Sequence, residues 1–198
     1  MEIYDKYLIT PNNLNKDIQD EEVINASSGS GFAVSSDGYI ITNHHVIEDC
    51  LGSKGKVQVK TYFGNVYAAD VSRMDKKHDL ALLMTEALIE PLPLSQALPY
   101  PGYWVMALGS ADGYEGSVSF GNVINSNSSE ILVTNNISGG SSGGPLVDNE
   151  GNVVAVVSWS LDEEQYNGTK SLNAFCAKIL KCDFEVKGKK TWWDYSGD

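Results

Sequence analysis

One nine-residue stretch, GGSSGGPLV at residues 139–147, places four glycines and two adjacent serines directly before an apolar run. Glycine adopts positive φ angles without steric penalty, so this stretch can turn several backbone N–H groups towards one point. Such a group of N–H donors stabilises the negative oxygen that develops during acyl transfer. The stretch therefore predicts a loop that carries a nucleophilic serine and donors for that oxygen, followed by a β-strand.

A serine hydroxyl becomes a strong nucleophile only when a base takes its proton and a third group orients that base. Two other segments supply these groups. The segment ITNHHVI, at residues 41–47, contains His44 and His45, and the segment HDLALL, at residues 78–83, places Asp79 before an apolar strand. The order His, Asp, Ser along a chain is one of those known for serine triads.

Together these motifs resemble those of chymotrypsin-fold serine proteases. GSSGGPLV is similar to their nucleophile motif Gly-x-Ser-Gly-Gly-Pro, which favours Ser142 over Ser141 as the nucleophile. TNHHVI resembles the histidine segment of HtrA-type (DegP-like) bacterial proteases, in which the His before Val is the base, and this favours His45 over His44. HDLALL resembles the segment of the catalytic Asp, here Asp79. SGSGFAVSSDGYIITN, at residues 28–43, is similar to the Gly-Ser-Gly-Phe opening of the same group.

The resemblance implies an all-β fold of two six-stranded Greek-key β-barrels with the active site in the cleft between them. It implies an oxyanion hole at Gly140, Ser141 and Ser142, with the amides of Gly140 and Ser142 as donors. It also implies that the backbone of residues 158–160 adds an extended peptide as a short strand. The residues that it implies for substrate binding are Asn136, Ile137, Ser158, Trp159, Ser160 and Asn173. Because none of them is Asp, we expect a neutral side chain before the cleaved bond.

Short apolar runs separated by Gly, Asn and Asp turn signals also favour an all-β protein. We expect an N-terminal arm at residues 1–27, a protease domain at 28–186 and a C-terminal tail at 187–198. Within the domain we expect one barrel at about 28–90 and a second at about 100–180, joined by the proline-rich stretch 90–101. Short helices are predicted at 44–49 and 178–182, and a last strand at 172–177.

Composition excludes several other classes. The formal net charge of −12 and the pI near 4.6 argue against binding to nucleic acid or to an anionic membrane. No apolar stretch approaches the roughly 18 residues that span a bilayer, and the beginning MEIYDKYLITPNN does not resemble a signal peptide. Three cysteines without a CxxC pair predict neither a disulfide framework nor a zinc site. We therefore expect a cytoplasmic protein that uses no metal and no organic cofactor.

Two functions follow from these residues. The first is a serine endopeptidase that hydrolyses peptide bonds of a peptide or protein substrate through an acyl-enzyme. The alternative is a latent or catalytically silent protease-fold module that binds a peptide and needs a partner for activation. Only 16 residues follow Cys182, too few for the PDZ domain of HtrA-type proteases. Control through an activating partner or a homo-oligomer is therefore left open.

Overall fold

The computed structural model describes residues 27–52, 56–160 and 167–184. The predicted tail and, apart from Ser27, the predicted arm lie outside these residues. The described chain forms eleven strands and two short helices, which confirms the predicted all-β class. The strands are β1 (Phe32–Ala33), β2 (Tyr39–Thr42), β3 (Val57–Lys60), β4 (Val66–Asp75), β5 (Leu80–Thr85), β6 (Trp104–Gly109), β7 (Ser117–Ser126), β8 (Glu130–Val133), β9 (Pro145–Val147), β10 (Val153–Ser160) and β11 (Asn167–Ser171).

The first five strands form one antiparallel sheet in the order β1-β2-β5-β4-β3. In the described part of the chain this unit is an open five-stranded sheet, where a closed six-stranded barrel was expected. Strand β2 pairs with β5, so Ile40 lies opposite Leu83 and Thr42 lies opposite Ala81. This pairing brings the chain after β2 close to the chain before β5.

The other six strands close into a barrel in the order β10-β11-β8-β7-β6-β9. Strand β9 closes it by pairing with both β10 and β6. The proline-rich stretch connects β5 to β6 and packs along β10, since Ser95 donates to the carbonyl of Val153 and Val153 donates to that of Pro93. The loop between β8 and β9 contains the glycine-rich stretch of the sequence.

The hydrophobic core holds the sheet against the barrel. Its larger cluster combines Phe32, Ile41, Leu80 and Leu82 of the sheet with the buried residues of the barrel. A smaller cluster around Val59 and Leu83 packs the sheet against Val46 and Ile47, which follow β2. Because the larger cluster crosses from one unit to the other, loops from both can meet in a fixed arrangement.

Helix α1 (His44–Ile47) and the 3₁₀ turn Glu48–Cys50 confirm the helix predicted at 44–49. The strand predicted at 172–177 is wrong. The chain forms strand β11 earlier and then helix α2 (Leu172–Phe175), which continues into a π-helical turn, Cys176–Leu180. The hydroxyl of Ser171 accepts from the amide of Ala174 and so caps α2. Among the described residues, no helix is long and apolar enough to cross a bilayer.

The C-terminal segment also corrects the expectation about cysteine. Cys176 and Cys182 form a disulfide that closes a loop with a sequence separation of 6, and Cys50 is a free thiol. The sequence shows only an odd number of cysteines with unrelated spacings. The turn after α2 brings two of them together, with their Cα atoms 5.0 Å apart.

Candidate active site

The glycine-rich loop between β8 and β9 lies directly against the five-stranded sheet. Gly143 has a φ of +88°, and a Cβ built there would lie 2.2 Å from the carbonyl oxygen of Ser30 and 2.3 Å from Oγ1 of Thr42. No other residue type fits such a contact, because any side chain would overlap backbone atoms. The glycine therefore allows the loop to approach the strand that leads to His45.

Backbone carbonyls of this loop are held by hydrogen bonds. The Gly139 carbonyl accepts from the amide of Asp112 at 2.7 Å, and the Ser141 carbonyl accepts from the amide of Gly144 at 3.0 Å. Ser30 holds the other two carbonyls. Its hydroxyl donates to Gly140 at 2.7 Å, and its amide donates to Ser142 at 2.7 Å. Since each carbonyl lies opposite the N–H of the same peptide group, these bonds also fix the directions of the amides.

The amides of the loop divide into two groups. Three amides have acceptors within the protein: that of Ser141 donates to the Ser138 carbonyl, that of Gly143 to the Val157 carbonyl, and that of Gly144 to the Ser141 carbonyl. For the amides of Gly140 and Ser142, no hydrogen-bond acceptor is found within the described residues. Gly140 has a φ of +92°, a conformation that glycine adopts at little cost. Two N–H groups, at Gly140 and Ser142, therefore remain available for an oxygen atom of a bound molecule.

His45 and Asp79 come together because β2 and β5 are neighbours in the sheet. The Asp79 carboxylate accepts from the backbone amide of His45 at 2.9 Å, and its other oxygen lies 2.8 Å from Nδ1 of His45. Asp79 has a φ of +52°, in the left-handed region that Asp tolerates better than most residues. Asn43 holds the turn by donating from its side chain to the Asp79 carbonyl at 2.8 Å.

Ser158, within strand β10, connects this pair to the glycine-rich loop. Its hydroxyl donates to the Asp79 carboxylate at 2.7 Å, and its carbonyl accepts from the hydroxyl of Ser142 at 3.2 Å. One residue therefore contacts both Asp79 and Ser142, which places the three predicted segments at one point. The side-chain role of Ser158 was missed at the sequence level. The available signal was a serine that ends the otherwise apolar run VVAVV.

The charge of Asp79 is stabilised by these contacts. Partial burial raises the pKa of its carboxyl, but hydrogen bonds from the imidazole and the amide of His45 and from the hydroxyl of Ser158 lower the pKa by more. The pKa of Asp79 consequently lies below its ordinary value. An ionised Asp79 holds the Nδ1 proton of His45, which leaves Nε2 as the basic nitrogen.

The Ser142 hydroxyl does not hydrogen-bond to His45 in this structure. It donates instead to the carbonyl of Ser158. The His45 side chain is 43% exposed, so one face of the imidazole is open to solvent. Contacts between a nucleophile and its base are often long before substrate binds, and reorientation of the Ser142 hydroxyl would be needed to form this one.

The residues predicted for substrate binding lie in different surroundings. Asn136 is exposed, whereas the side chain of Ile137 is part of the hydrophobic core. Trp159 and Ser160 pair through their backbones with Gly168 and Asn167 of β11. Asn173 lies in helix α2, partly buried. Their roles in recognising a substrate stay predictions, as do the domain boundaries.

Among the described residues, no group of three or more His, Cys, Asp or Glu side chains is arranged to hold a metal ion.

Three comparisons identify relatives of this chain. Residues 29–156 match the family model of the trypsin-like peptidase domain. A DegP-like periplasmic serine endoprotease of Chlamydia trachomatis is 34% identical over 145 residues, which cover 66% of this chain and 28% of that protein. The serine protease HTRA1B of Danio rerio is 35% identical over 157 residues, covering 71% of this chain and 32% of that protein.

A serine endoprotease of Yersinia pestis has a similar crystal structure, with a TM-score of 0.72 and 23% sequence identity. The match covers 90% of this chain and 61% of that chain. It confirms the predicted chymotrypsin-like two-barrel fold, in which the open sheet takes the place of the first barrel.

This chain spans about a third or less of the length of these curated relatives.

The expectation of a cytoplasmic protein is wrong. Relatives from Chlamydia trachomatis, Chlamydia muridarum and a Marinomonas species are described as periplasmic, which points to a periplasmic or extracellular location. The expectation also took the three cysteines as unpaired, whereas two of them form a disulfide.

Proposed function

Because the chain belongs to the trypsin-like peptidase domain family and is a serine protease domain of the HtrA/DegP type, we propose that it hydrolyses peptide bonds with His45, Asp79 and Ser142. One observation carries this proposal: Ser158 hydrogen-bonds to both Asp79 and Ser142, and Asp79 in turn holds His45. The three side chains that the chemistry needs are thereby gathered between the sheet and the barrel.

In the proposed mechanism, Nε2 of His45 takes the proton of the Ser142 hydroxyl as its oxygen attacks the peptide carbonyl carbon. The carbonyl oxygen becomes negative and receives hydrogen bonds from the amides of Gly140 and Ser142. Ser141, between them, contributes to the turn that aims these amides. His45 then protonates the leaving amine, and water hydrolyses the acyl-enzyme by the same route. Asp79 keeps His45 in the required tautomer and stabilises its charged form.

The substrate in this proposal is a peptide or a protein, which the backbone of strand β10 binds as an added strand. No metal or organic cofactor takes part in these steps. We further infer a periplasmic or extracellular location from the descriptions of the relatives. The Cys176–Cys182 disulfide supports this location, because disulfides persist in oxidising compartments.

A second candidate, a latent form of the same protease, is favoured by the hydrogen bond from Ser142 to the Ser158 carbonyl. In that state the nucleophile is held away from its base. Binding of a peptide, of an activating partner or of another copy of the chain would then have to release it. The two candidates differ in the activity of the isolated chain.

Labelling with a fluorophosphonate tests both candidates, because the reagent needs an activated serine and no particular cleavage sequence. The wild type is compared with Ser142→Ala and with Ser141→Ala, and the labelled residue is identified by mass spectrometry. The proposal expects labelling at Ser142 in the wild type and in Ser141→Ala, and none in Ser142→Ala. Labelling that begins only when a peptide or a partner is added would instead identify the latent form. A label on Ser141 would contradict the assignment of the nucleophile.

A further inference from the structure

Ser30 belongs to the five-stranded sheet unit, but its hydrogen bonds reach the loop of the nucleophile. It is fully buried and lies two residues before β1. Its amide donates to the Ser142 carbonyl at 2.7 Å, and its hydroxyl donates to the Gly140 carbonyl at 2.7 Å. The carbonyl of Ser30 accepts from the hydroxyl of Thr42 at 2.8 Å. Ser30 is thus anchored to the sheet while it holds two peptide groups of the loop.

The two carbonyls that Ser30 holds belong to the peptide groups Gly140–Ser141 and Ser142–Gly143. These two groups flank the Ser141–Ser142 peptide, whose N–H is the Ser142 amide that has no acceptor within the described chain. Gly140 has no Cβ and a φ of +92°, so its own side chain does not restrict rotation of the backbone at this position. A hydrogen bond on its carbonyl restricts rotation of the Gly140–Ser141 peptide. The peptide on its other side is held by the bond from Asp112 to the Gly139 carbonyl.

The Ser30 hydroxyl belongs to a fully buried residue and lies close to Gly109, since a Cβ built on Gly109 would be 3.0 Å from Oγ of Ser30. Among the described residues, the Ser30 hydroxyl is the side-chain donor to the Gly140 carbonyl. If the hydroxyl is removed, this carbonyl loses its donor, and a buried acceptor without a donor is unfavourable.

We propose that Ser30 is a positioning residue that holds the peptide groups on both sides of the Ser141–Ser142 peptide and so keeps the Ser142 amide directed at the reacting carbonyl oxygen. This inference rests on the proposed function, since it concerns the oxyanion hole of the same site. Removing the Ser30 hydroxyl lets the Gly140–Ser141 peptide rotate towards another donor, such as water, and loosens the Ser141–Ser142 peptide that is joined to it. The fraction of molecules with a competent oxyanion hole then falls, while the surface that binds the substrate is unchanged.

Ser30→Ala tests this role, because it deletes the hydroxyl and retains the amide that bonds to Ser142. The inactivation rate constant and the dissociation constant for a fluorophosphonate are measured separately, together with the thermal unfolding midpoint. We expect the rate constant to fall about tenfold and the dissociation constant to stay within about twofold. If Ser30→Ala does not fold, Ser30→Gly deletes the same hydroxyl without adding volume, and the same result is expected.

Ser126→Ala is the matched control. Ser126 is also buried, and its hydroxyl donates to the Pro99 carbonyl at 2.7 Å, away from the active site. We expect a lower unfolding midpoint with an unchanged inactivation rate constant. Wild-type inactivation kinetics in Ser30→Ala, or an equal loss of rate in both variants, would overturn the positioning role. A wild type that is not labelled at Ser142 either alone or with an added peptide would overturn the proposed function itself, and the role of Ser30 with it.

Discussion

The change Asp79→Asn tests the orientation of His45, because the carboxylate receives three donors. The backbone amide of His45 donates to one oxygen, and Nδ1 of His45 and the hydroxyl of Ser158 approach the other. The backbone N–H cannot become an acceptor, so the oxygen of Asn should occupy the first position. Its NH₂ group then faces Nδ1, which must accept, and His45 is held with its proton on Nε2. In that tautomer Nε2 cannot take the proton of Ser142.

The magnitude follows from the loss of the general base. Binding and the oxyanion donors are retained, so the expected fall in kcat is that of a triad with the wrong tautomer, about 10⁴-fold, or about 5.5 kcal/mol of transition-state stabilisation. The assay is the initial rate of hydrolysis of a fluorescein-labelled unfolded protein, supported by the rate of fluorophosphonate labelling. Both rates are measured near neutral pH.

The chain contains a matched control in a second His–Asp pair. Asp75 accepts from the backbone amide of His78 at 3.0 Å and lies 2.9 Å from its Nδ1, almost the geometry of Asp79 with His45. The two aspartate side chains are also equally exposed, at 23% and 24%. Asp75→Asn should therefore change both rates by less than about threefold. The reasoning is refuted if Asp79→Asn keeps more than a tenth of the wild-type rate, or if both variants lose activity equally.

Three further predictions concern stability. Gly143→Ala should lower the free energy of unfolding, measured by urea titration, by about 3 kcal/mol or more. Gly151 has a similar φ of +83° but open space around it, so Gly151→Ala should lower the free energy of unfolding by about 1 kcal/mol. Equal losses in the two variants would contradict the close contact at Gly143. Replacing both Cys176 and Cys182 by Ser should lower the free energy of unfolding by about 2 kcal/mol, because the disulfide closes only a short loop. A similar loss in Cys50→Ser would show that the disulfide is not the source of this stability. Folding lowers the pKa of the Asp79 carboxyl. The ionised carboxylate therefore stabilises the folded protein at any pH above the unfolded pKa of about 3.9. This stabilisation is lost as the pH falls through the lower pKa of the folded state. Wild-type stability should then decline more steeply between pH 5 and pH 2 than that of Asp79→Asn, and parallel curves would exclude this linkage.

Much of the fold could be predicted from local patterns. Strand β9 follows the glycine-rich loop as predicted, and α1 begins at the predicted residue. These segments are short apolar runs bounded by turn residues, and their local preferences agree with the final structure. The segment after β11 was predicted as a strand because it is apolar, but short apolar runs do not distinguish a strand from a buried helix. This segment forms α2 because its apolar residues pack against the core and the Ser171 side chain caps its first turn.

For the candidate site, the motifs predict the kinds of residue and their order: a histidine, an aspartate and a serine, with glycines beside the serine. That information is local, because each motif needs only its neighbours in the chain. Which groups connect these motifs is visible only in the folded structure. Ser30 and Gly140 are 110 residues apart, and Ser158 and Asp79 are 79 apart. The same holds for the direction of the Ser142 hydroxyl and for the disulfide. Contacts of this kind depend on the packing of the sheet against the barrel, and no spacing along the chain encodes them directly.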